Sequence, residues 1–567
     1  MKKKILCLAL CVLMIVASFV GCSEKSKDEL MNQIGEETSK GAVTLTMYIL
    51  SDSEVSDKQE LLIEEAVNKI THSYKIKLNL EYFTEDKYYT QLEANLAKMK
   101  TYYGNKEHLS KETEAPKYTD EKSGLPVTYY PPVEDFQVDL FYFSGYDKYL
   151  KYKQAGYLAS FDSELINQAS SLKGNISSIF YQNVKAINGQ YDMMPTNTAV
   201  GEYTYMLVDK KVLSSTQYSM ADVTSPVSDE CAELLGMVAK YYNSDYVPFY
   251  SSEGVLAFDD VKFFGTDANG FASDDFSILA GTYDSAWTFG AENAYPAMSG
   301  INATADNGNG TVIEQIKRLK GYELNGYYGT EADAEKPFAV GYVKGGLEVI
   351  EQYGDDYEIV VIDTPTLTTE AFYEHAIAIS SQNKSLSSSA KILAELYTNE
   401  DLINILANGV EGENYTWTTS DVLDKNDNPY RVIKMQDKDP EYIYNINPAR
   451  IGNLALVYPT VNDDPARSER ILAQNGDAKL DLLFGYSLVG AGQDLAPMAK
   501  INADSKAAYD KIIAAKSADE LDAAIAEMNT FLEAEETKAA ITALNTYYAQ
   551  WLTKAGITPA AEATPAA

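Results

Sequence analysis

The chain has 567 residues, 83 of them acidic and 47 basic, for a formal net charge of −36. A surface this acidic repels nucleic acid and anionic lipid, so neither is an expected partner. The length supports two or more hydrophobic cores.

Lys2, Lys3 and Lys4 precede an apolar run, 5–20, which is short for a membrane span and has the length of a secretory signal. Gly21 and Cys22 follow. A small residue before a cysteine at the end of such a run resembles a bacterial lipobox, although Phe19 stands where that box ordinarily has leucine. The resemblance implies a signal peptide over 1–21, cleavage before Cys22, lipidation of its thiol and display on the outer face of the cell membrane. Contact with the membrane is then through the lipid alone. Cys7 and Cys11 leave with the leader, so Cys231 is the one thiol left and no intramolecular disulfide is expected. Cys231 shares an apolar helical pattern with Leu234, Leu235 and Val238, which predicts a buried small side chain rather than a nucleophile.

Residues 22–42 are charged and polar and read as a tether. A buried strand is predicted over 43–50, a helix over 59–70, an alternating strand over 76–82 and a helix over 86–100. Strand–helix–strand–helix predicts a parallel sheet covered by helices. Residues 101–136 interrupt it without a steady period and read as a surface insertion. A third strand, 138–143, ends at Ser144-Gly145-Tyr146-Asp147, and a helix over 148–155 stops at Gly156. Ligands of open α/β sheets sit beyond the carboxyl ends of parallel strands, which sets 51–53 and 144–147 on one rim.

The stretch 188–210 organises the rest. It opens on the turn pair Asn188-Gly189, runs apolar to Pro195, turns polar over 196–202 and ends in a strand, 203–208. It reads either as a crossing between two lobes or as an ordinary strand–loop–strand connection. A crossing would set Thr196, Asn197, Glu202 and Tyr203 facing a ligand. Beyond it, helices are predicted over 229–242 and 311–319, strands over 337–343 and 358–363, and a helix over 346–353. The region 243–309 between them is rich in glycine, aspartate, serine and aromatics and holds Trp287. An apolar segment, 375–380, starts a return toward the cleft. Helices follow over 386–397 and 401–407, then a loop with Glu411 and Glu413, then Trp417. Residues 424–428 (DKNDN) look like the start of a calcium loop but lack its glycine and closing glutamate, so they read as a turn. From about 466 the chain is helical, with amphipathic runs at 517–532 and 536–552, and 558–567 reads as a disordered tail.

Several of these stretches together resemble a known family. They are VDLFYFSGYDKYLKYKQAGYLASFD (138–162), INGQYDMMPTNTAVGEYTYMLVDKK (187–211), VVIDTPTLTT (360–369), AIAISSQNKSLSSSAKILAELYT (376–398), LANGVEGENYTW (406–417) and NINPARIGNLALVYP (445–459). In order and spacing they resemble extracellular solute-binding proteins of ABC importers, and among these the large carbohydrate-binding lipoproteins of Gram-positive bacteria. The resemblance implies an α/β, two-lobed periplasmic-binding-protein-like (type II) fold with hinge crossings and an extra helical C-terminal region. Lobe 1 would span 43–195, with 101–136 inserted. Residues 196–365 would be mainly lobe 2, 366–465 would return between the lobes and the cleft, and 466–557 would form the helical region. The implied activity is capture of a sugar or oligosaccharide by hinge closure and delivery to the transmembrane subunits of a permease, by a monomer with no cofactor.

Sugars offer apolar C–H faces to aromatic rings and hydroxyls to carboxylates and amides. With 43 tyrosines and three tryptophans, a tryptophan is the more telling residue. Trp287 and Trp417 are therefore candidate stacking platforms, and Trp551 reads as packing. Glu411, Asp52 and Asp147 are candidate hydroxyl acceptors, Asp52 and Asp147 reading alternatively as caps of the helices that follow them, the role favoured for Asp147, and Tyr146 is a candidate stacking ring. A secreted glycoside hydrolase would line a cleft with the same residue types, and a binder of peptides or other solutes would share the fold. A rigid surface adhesin would need no hinge. The three histidines form no metal spacing, and Gly485-Tyr486-Ser487-Leu488-Val489 lacks the last glycine of a nucleophile elbow.

Overall fold

The computed structural model describes residues 43–104, 117–119, 126–128, 136–185, 189–223, 225–242, 246–252, 261–263, 265–266, 272–273, 279–282, 299–300, 311–329, 336–424, 426–437, 440–481, 483–488 and 496–554. The leader, Cys22, the tether, most of 101–136, Trp287 and the tail lie outside them. Among the described residues no helix is long and apolar enough to cross a membrane.

The first lobe is built on strands β1 (Val43–Ser51), β2 (Ile76–Thr84), β3 (Leu140–Phe143), β4 (Met194–Pro195) and β10 (Ala376–Ile379), in the order β2-β1-β3-β10-β4. β1 pairs parallel with β2 in unbroken register from Val43 opposite Ile76 to Ser51 opposite Thr84, and parallel with β3. β10 runs antiparallel to both β3 and β4. β1 is buried continuously from Leu45 to Ser51, as its unbroken apolar run requires of a strand covered on both faces. Helices α1 (Asp57–Thr71), α2 (Glu85–Gly104) and α3 (Tyr146–Ala155) connect these strands. The Ser56 side chain caps α1 by accepting from the Gln59 amide, and Gly156 ends α3 in the left-handed region at φ +69°.

The second lobe holds β5 (Tyr203–Asp209), β6 (Val247–Ser251), β7 (Phe338–Gly345) and β8 (Tyr357–Asp363), ordered β8-β5-β7-β6. β5 is antiparallel to both its neighbours, and β7 is parallel to β6. Successive residues of β5 serve opposite faces, as a strand's period of two demands. Met206 and Val208 pack with helices α4 (Asp229–Tyr241) and α5 (Val312–Leu324), while Tyr203, Tyr205 and Leu207 pack with Phe338, Val343 and Val349. Thr311 and Glu314 close a reciprocal capping box at the start of α5.

Cys231 on α4 is fully buried, and burial pushes its thiol up to about 12. A thiol reagent at pH 8 is therefore expected to leave Cys231 unmodified in the folded protein and to label it on denaturation. Prompt labelling under native conditions would show that α4 opens or that this core is wrongly placed.

Among the described residues two segments carry the chain between the lobes. The first passage joins β4 to β5. The second runs from β8 into β9 (Thr366–Leu367), and β13 (Lys479–Leu480), which follows helix α9 (Arg467–Asp477), pairs parallel with β9. The last three helices, α10 (Ala496–Ala514), α11 (Ala518–Glu533) and α12 (Glu535–Lys554), touch both lobes. Lys317 of α5 pairs with Asp522 at 2.7 Å, and Lys320 donates to the Ile513 carbonyl at 2.6 Å. On the other side Tyr486, just after β13, meets the rings of Tyr548 and Trp551.

Residues 415–435 form a hairpin, β11 (Tyr415–Leu423) against β12 (Pro429–Met435), where the sequence suggested only a loop and a turn. Its alternation is hidden by a run of threonines and charges. The expected turn is present: Asp424 Oδ1 accepts from the Asn426 and Asn428 amides at 2.8 and 2.9 Å.

Candidate functional site

β1 and β3 deliver their carboxyl ends to one rim, where parallel strands of an open sheet present groups to a ligand. Asp52 follows β1 and accepts from Arg450 Nη1 at 2.7 Å. Arg450 is carried on the turn 448–450, which Asn447 caps through the Ala449 amide. Tyr142, near the end of β3, places its hydroxyl 2.8 Å from His375 Nδ1, with the two rings 5.9 Å apart. Burial pushes the Tyr142 phenol up to about 12, while Ser144 and Arg450 beside it act the other way. Burial lowers the His375 ring below its ordinary value, and Arg450 adds to this while Glu374 opposes it. Tyr89, on α2, is half-buried, with Lys148 Nζ 4.5 Å from its ring centre. Tyr142, Arg450 and His375 form a floor, and Asp52, Tyr89, Ser144 and Glu374 stand around it with more exposure.

The arrangement offers ring surface, a guanidinium held by one carboxylate, and hydroxyl and imidazole groups that donate or accept. Such groups recognise a hydroxyl-rich solute through many modest hydrogen bonds. Among the described residues no group of three or more histidine, cysteine, aspartate or glutamate side chains is placed to hold a metal ion.

The expected site residues are spread more widely than this rim. Asp52 lies on it. Asp147 is exposed in the first turn of α3, and its Oδ1 lies close to Gly145, which is the N-cap. Tyr146 is not free for stacking: it is 7% exposed, with its ring against Tyr149 and Tyr373 at 6.1 and 4.9 Å. The apolar packing of α3 takes the face that a sugar would need.

Thr196 and Asn197 are likewise inside the joint. The Thr196 amide donates to the His375 carbonyl at 2.9 Å. Asn197 is completely buried, accepts from the Ser177 amide and hydroxyl at 3.1 and 2.7 Å, and donates to Asn453 Oδ1 at 2.8 Å. Asn475 completes the knot: its amide donates to the Thr198 carbonyl and the Ser177 hydroxyl, and its Oδ1 accepts from Val200 N. A polar run between two strands looks like ligand-facing loop, yet here its polarity satisfies a buried backbone.

Tyr203 is also buried, its hydroxyl donating to Asp477 at 2.7 Å, and this leaves Glu202 as the exposed one of the four residues expected to face a ligand from the crossing. Beside it Gly201 has φ +48°, a left-handed conformation that side chains rarely adopt, and a Cβ there would crowd the Thr366 backbone at 3.3 Å. Glu411 is exposed at the base of the hairpin. Trp417, on β11, has the Arg431 guanidinium 3.6 Å from its ring centre and Tyr458 at 4.6 Å, so its ring is covered from within the chain. Trp287 lies outside the described residues.

No protein-family model matches the chain, and no curated protein does. Among solved structures, the N-glycan transport solute-binding protein of Streptococcus pneumoniae aligns over 90% of this chain and 99% of its own, with 15% identity and a TM-score of 0.51. The chain has the solute-binding-protein fold. An extracellular solute-binding protein of Bifidobacterium longum subsp. infantis aligns at 11% identity over 90% of this chain and 99% of its own, with a TM-score of 0.42. The solute-binding fold is two-lobed, and it accounts for the passages between the lobes. It does not name a ligand.

Tyr89, Tyr142, His375 and Arg450 were not singled out from the sequence. Tyr142 and His375 stand in apolar strand patterns, Tyr89 on the inward face of a helix. Arg450 carries the one available signal, a lone cation in the turn sequence Asn-Pro-Ala-Arg.

Proposed function

We propose that this protein is the substrate-capturing component of an ABC importer and that it binds a sugar or oligosaccharide between its lobes. The observation that carries the reading is the rim of lobe 1, where Tyr89, Tyr142, His375, Arg450 and Asp52 gather at the carboxyl ends of parallel strands in a solute-binding fold. The solved neighbour is an N-glycan transport solute-binding protein, which supports a glycan as the first ligand to test. Capture would proceed by population shift: ligand touching both lobes stabilises the closed form, and a permease reads that form. No bond is made or broken. Lipidation at Cys22 would hold the protein at the outer face of the membrane beside its permease.

The test is a thermal-shift screen of residues 23–567 against N-glycan-derived oligosaccharides, neutral mono- and oligosaccharides, peptides and polyamines. A ligand at 100 times its Kd adds about 2.7 kcal/mol of apparent stability. An oligosaccharide that raises Tm and is recovered intact supports the proposal. A cleaved sugar would make the protein a hydrolase, and stabilisation by peptides alone would remove the carbohydrate assignment.

A further inference from the structure

Helix α9 belongs to lobe 1 by its packing. The Ser468 hydroxyl donates to the Ala455 carbonyl, Arg467 donates to the Val457 carbonyl at 3.0 Å, and Asn475 ties the far end to Ser177. From the same helix Arg470 reaches the other lobe. Its Nη1 lies 3.3 Å from Glu348 and its Nη2 lies 3.2 Å from Glu351, both on helix α6 (Glu348–Tyr353) between β7 and β8. Its Nε pairs with Asp464, ahead of α9, at 2.6 Å. Glu348 is held as well, since its other oxygen accepts from the Gly346 amide at 2.6 Å. One guanidinium thus spans the two lobes, anchored on its own side by one carboxylate and directed at two on the other.

The rim is differently placed. Asp52, Tyr142, His375 and Arg450 bond to one another and to lobe 1 groups. The Arg470 fork is therefore formed in an arrangement where these rim groups are engaged by lobe 1. Rotation of lobe 2 about the passages changes the distances from Arg470 to α6, whereas Asp464 and α9 stay with lobe 1.

We propose that Arg470 is a positioning residue that latches the lobes in this arrangement, so that closure over the rim must release Glu348 and Glu351. The fork sets ligand affinity without touching ligand. Its effect on affinity rests on the capture mechanism proposed above; its effect on lobe geometry does not. The carboxylates are 51% and 72% exposed, so each pair is a modest interaction and the latch is a bias rather than a lock.

The test uses the chain 23–567 with Arg470→Gln and, from the other side, with Glu348→Gln and Glu351→Gln together. Spin labels at Lys173→Cys and Lys211→Cys report the distribution of distances between the lobes, and calorimetry reports affinity for whichever oligosaccharide stabilises the wild type. Both variants are expected to shift the distance distribution away from that of the wild type and to bind ligand about threefold to tenfold more tightly. In the wild type, salt near 1 M, where the screening length is about 3 Å, is expected to move the distribution the same way. An unchanged distribution in both variants overturns the latch. So does weaker binding with unchanged Tm, which would place the fork in the closed form. Should no sugar bind the wild type, the carbohydrate assignment fails while the distance distributions still judge the latch. Glu351→Gln alone, at the most exposed position, keeps the test readable if Arg470→Gln folds poorly.

Discussion

Asn197→Ala is expected to destabilise the protein by about 2–4 kcal/mol, because it leaves buried groups without partners. The Ser177 amide and hydroxyl lose their acceptor, and Asn453 Oδ1 loses a donor, at a point where Asn197 and Asn453 are at most 4% exposed. In a two-lobed chain of this size that corresponds to a fall in Tm of about 5–10 °C for the unit that contains the joint. The same variant separates the two roles open to Asn197. A ligand contact on a crossing would lose affinity and keep Tm; a knot residue loses Tm. Adding Asn453→Ala is expected to cost less than the sum of the two single changes, since both remove the same hydrogen bond. Additive losses would mean that the two amides act separately.

Arg450→Ala is expected to weaken oligosaccharide binding by tenfold or more, about 1.4 kcal/mol for each factor of ten, with little change in Tm. Arg450 is 17% exposed and its partner Asp52 is 35% exposed, so water can solvate the carboxylate that loses its partner. The guanidinium also lies beside the Tyr142 hydroxyl, which pairs with His375, so its removal disturbs the floor of the rim as well as its edge. Arg450→Lys keeps the charge but loses the planar fork and is expected to recover part of the affinity at most. Full affinity in Arg450→Ala, measured by calorimetry on protein of unchanged Tm, would move the site away from this rim.

The lobes are legible in the sequence because their strands and helices carry clean periods. The apolar run of β1, the alternation of β2 and the amphipathic helices each name their element before any contact is known. The crossing is legible as a polar break between two apolar stretches. What the polarity does there is not legible. Whether Asn197 faces solvent or a buried amide depends on Ser177, Asn453 and Asn475, and a single sequence does not show which of its distant turns come to the same place. Tyr146 fails for the same reason. It stands just past the end of β3, as a ligand residue would, but α3 starts at Tyr146 itself and turns the ring onto Tyr149 and Tyr373. Arg450 and Asp52 lie almost 400 positions apart in the chain, with nothing local to join them.

The direction of β1 fixes how the molecule could be presented. The strand enters the sheet at Val43 and reaches the rim at Ser51, so the chain before Val43 joins lobe 1 at the opposite end, about 30 Å from the rim along an extended nine-residue strand. Were the protein lipidated at Cys22 as proposed, a leash attached there would pull on the base of the molecule. The mouth of the cleft would then be left free to sample the medium, and the molecule would swivel on its leash until one edge of both lobes met a neighbour in the plane of the bilayer.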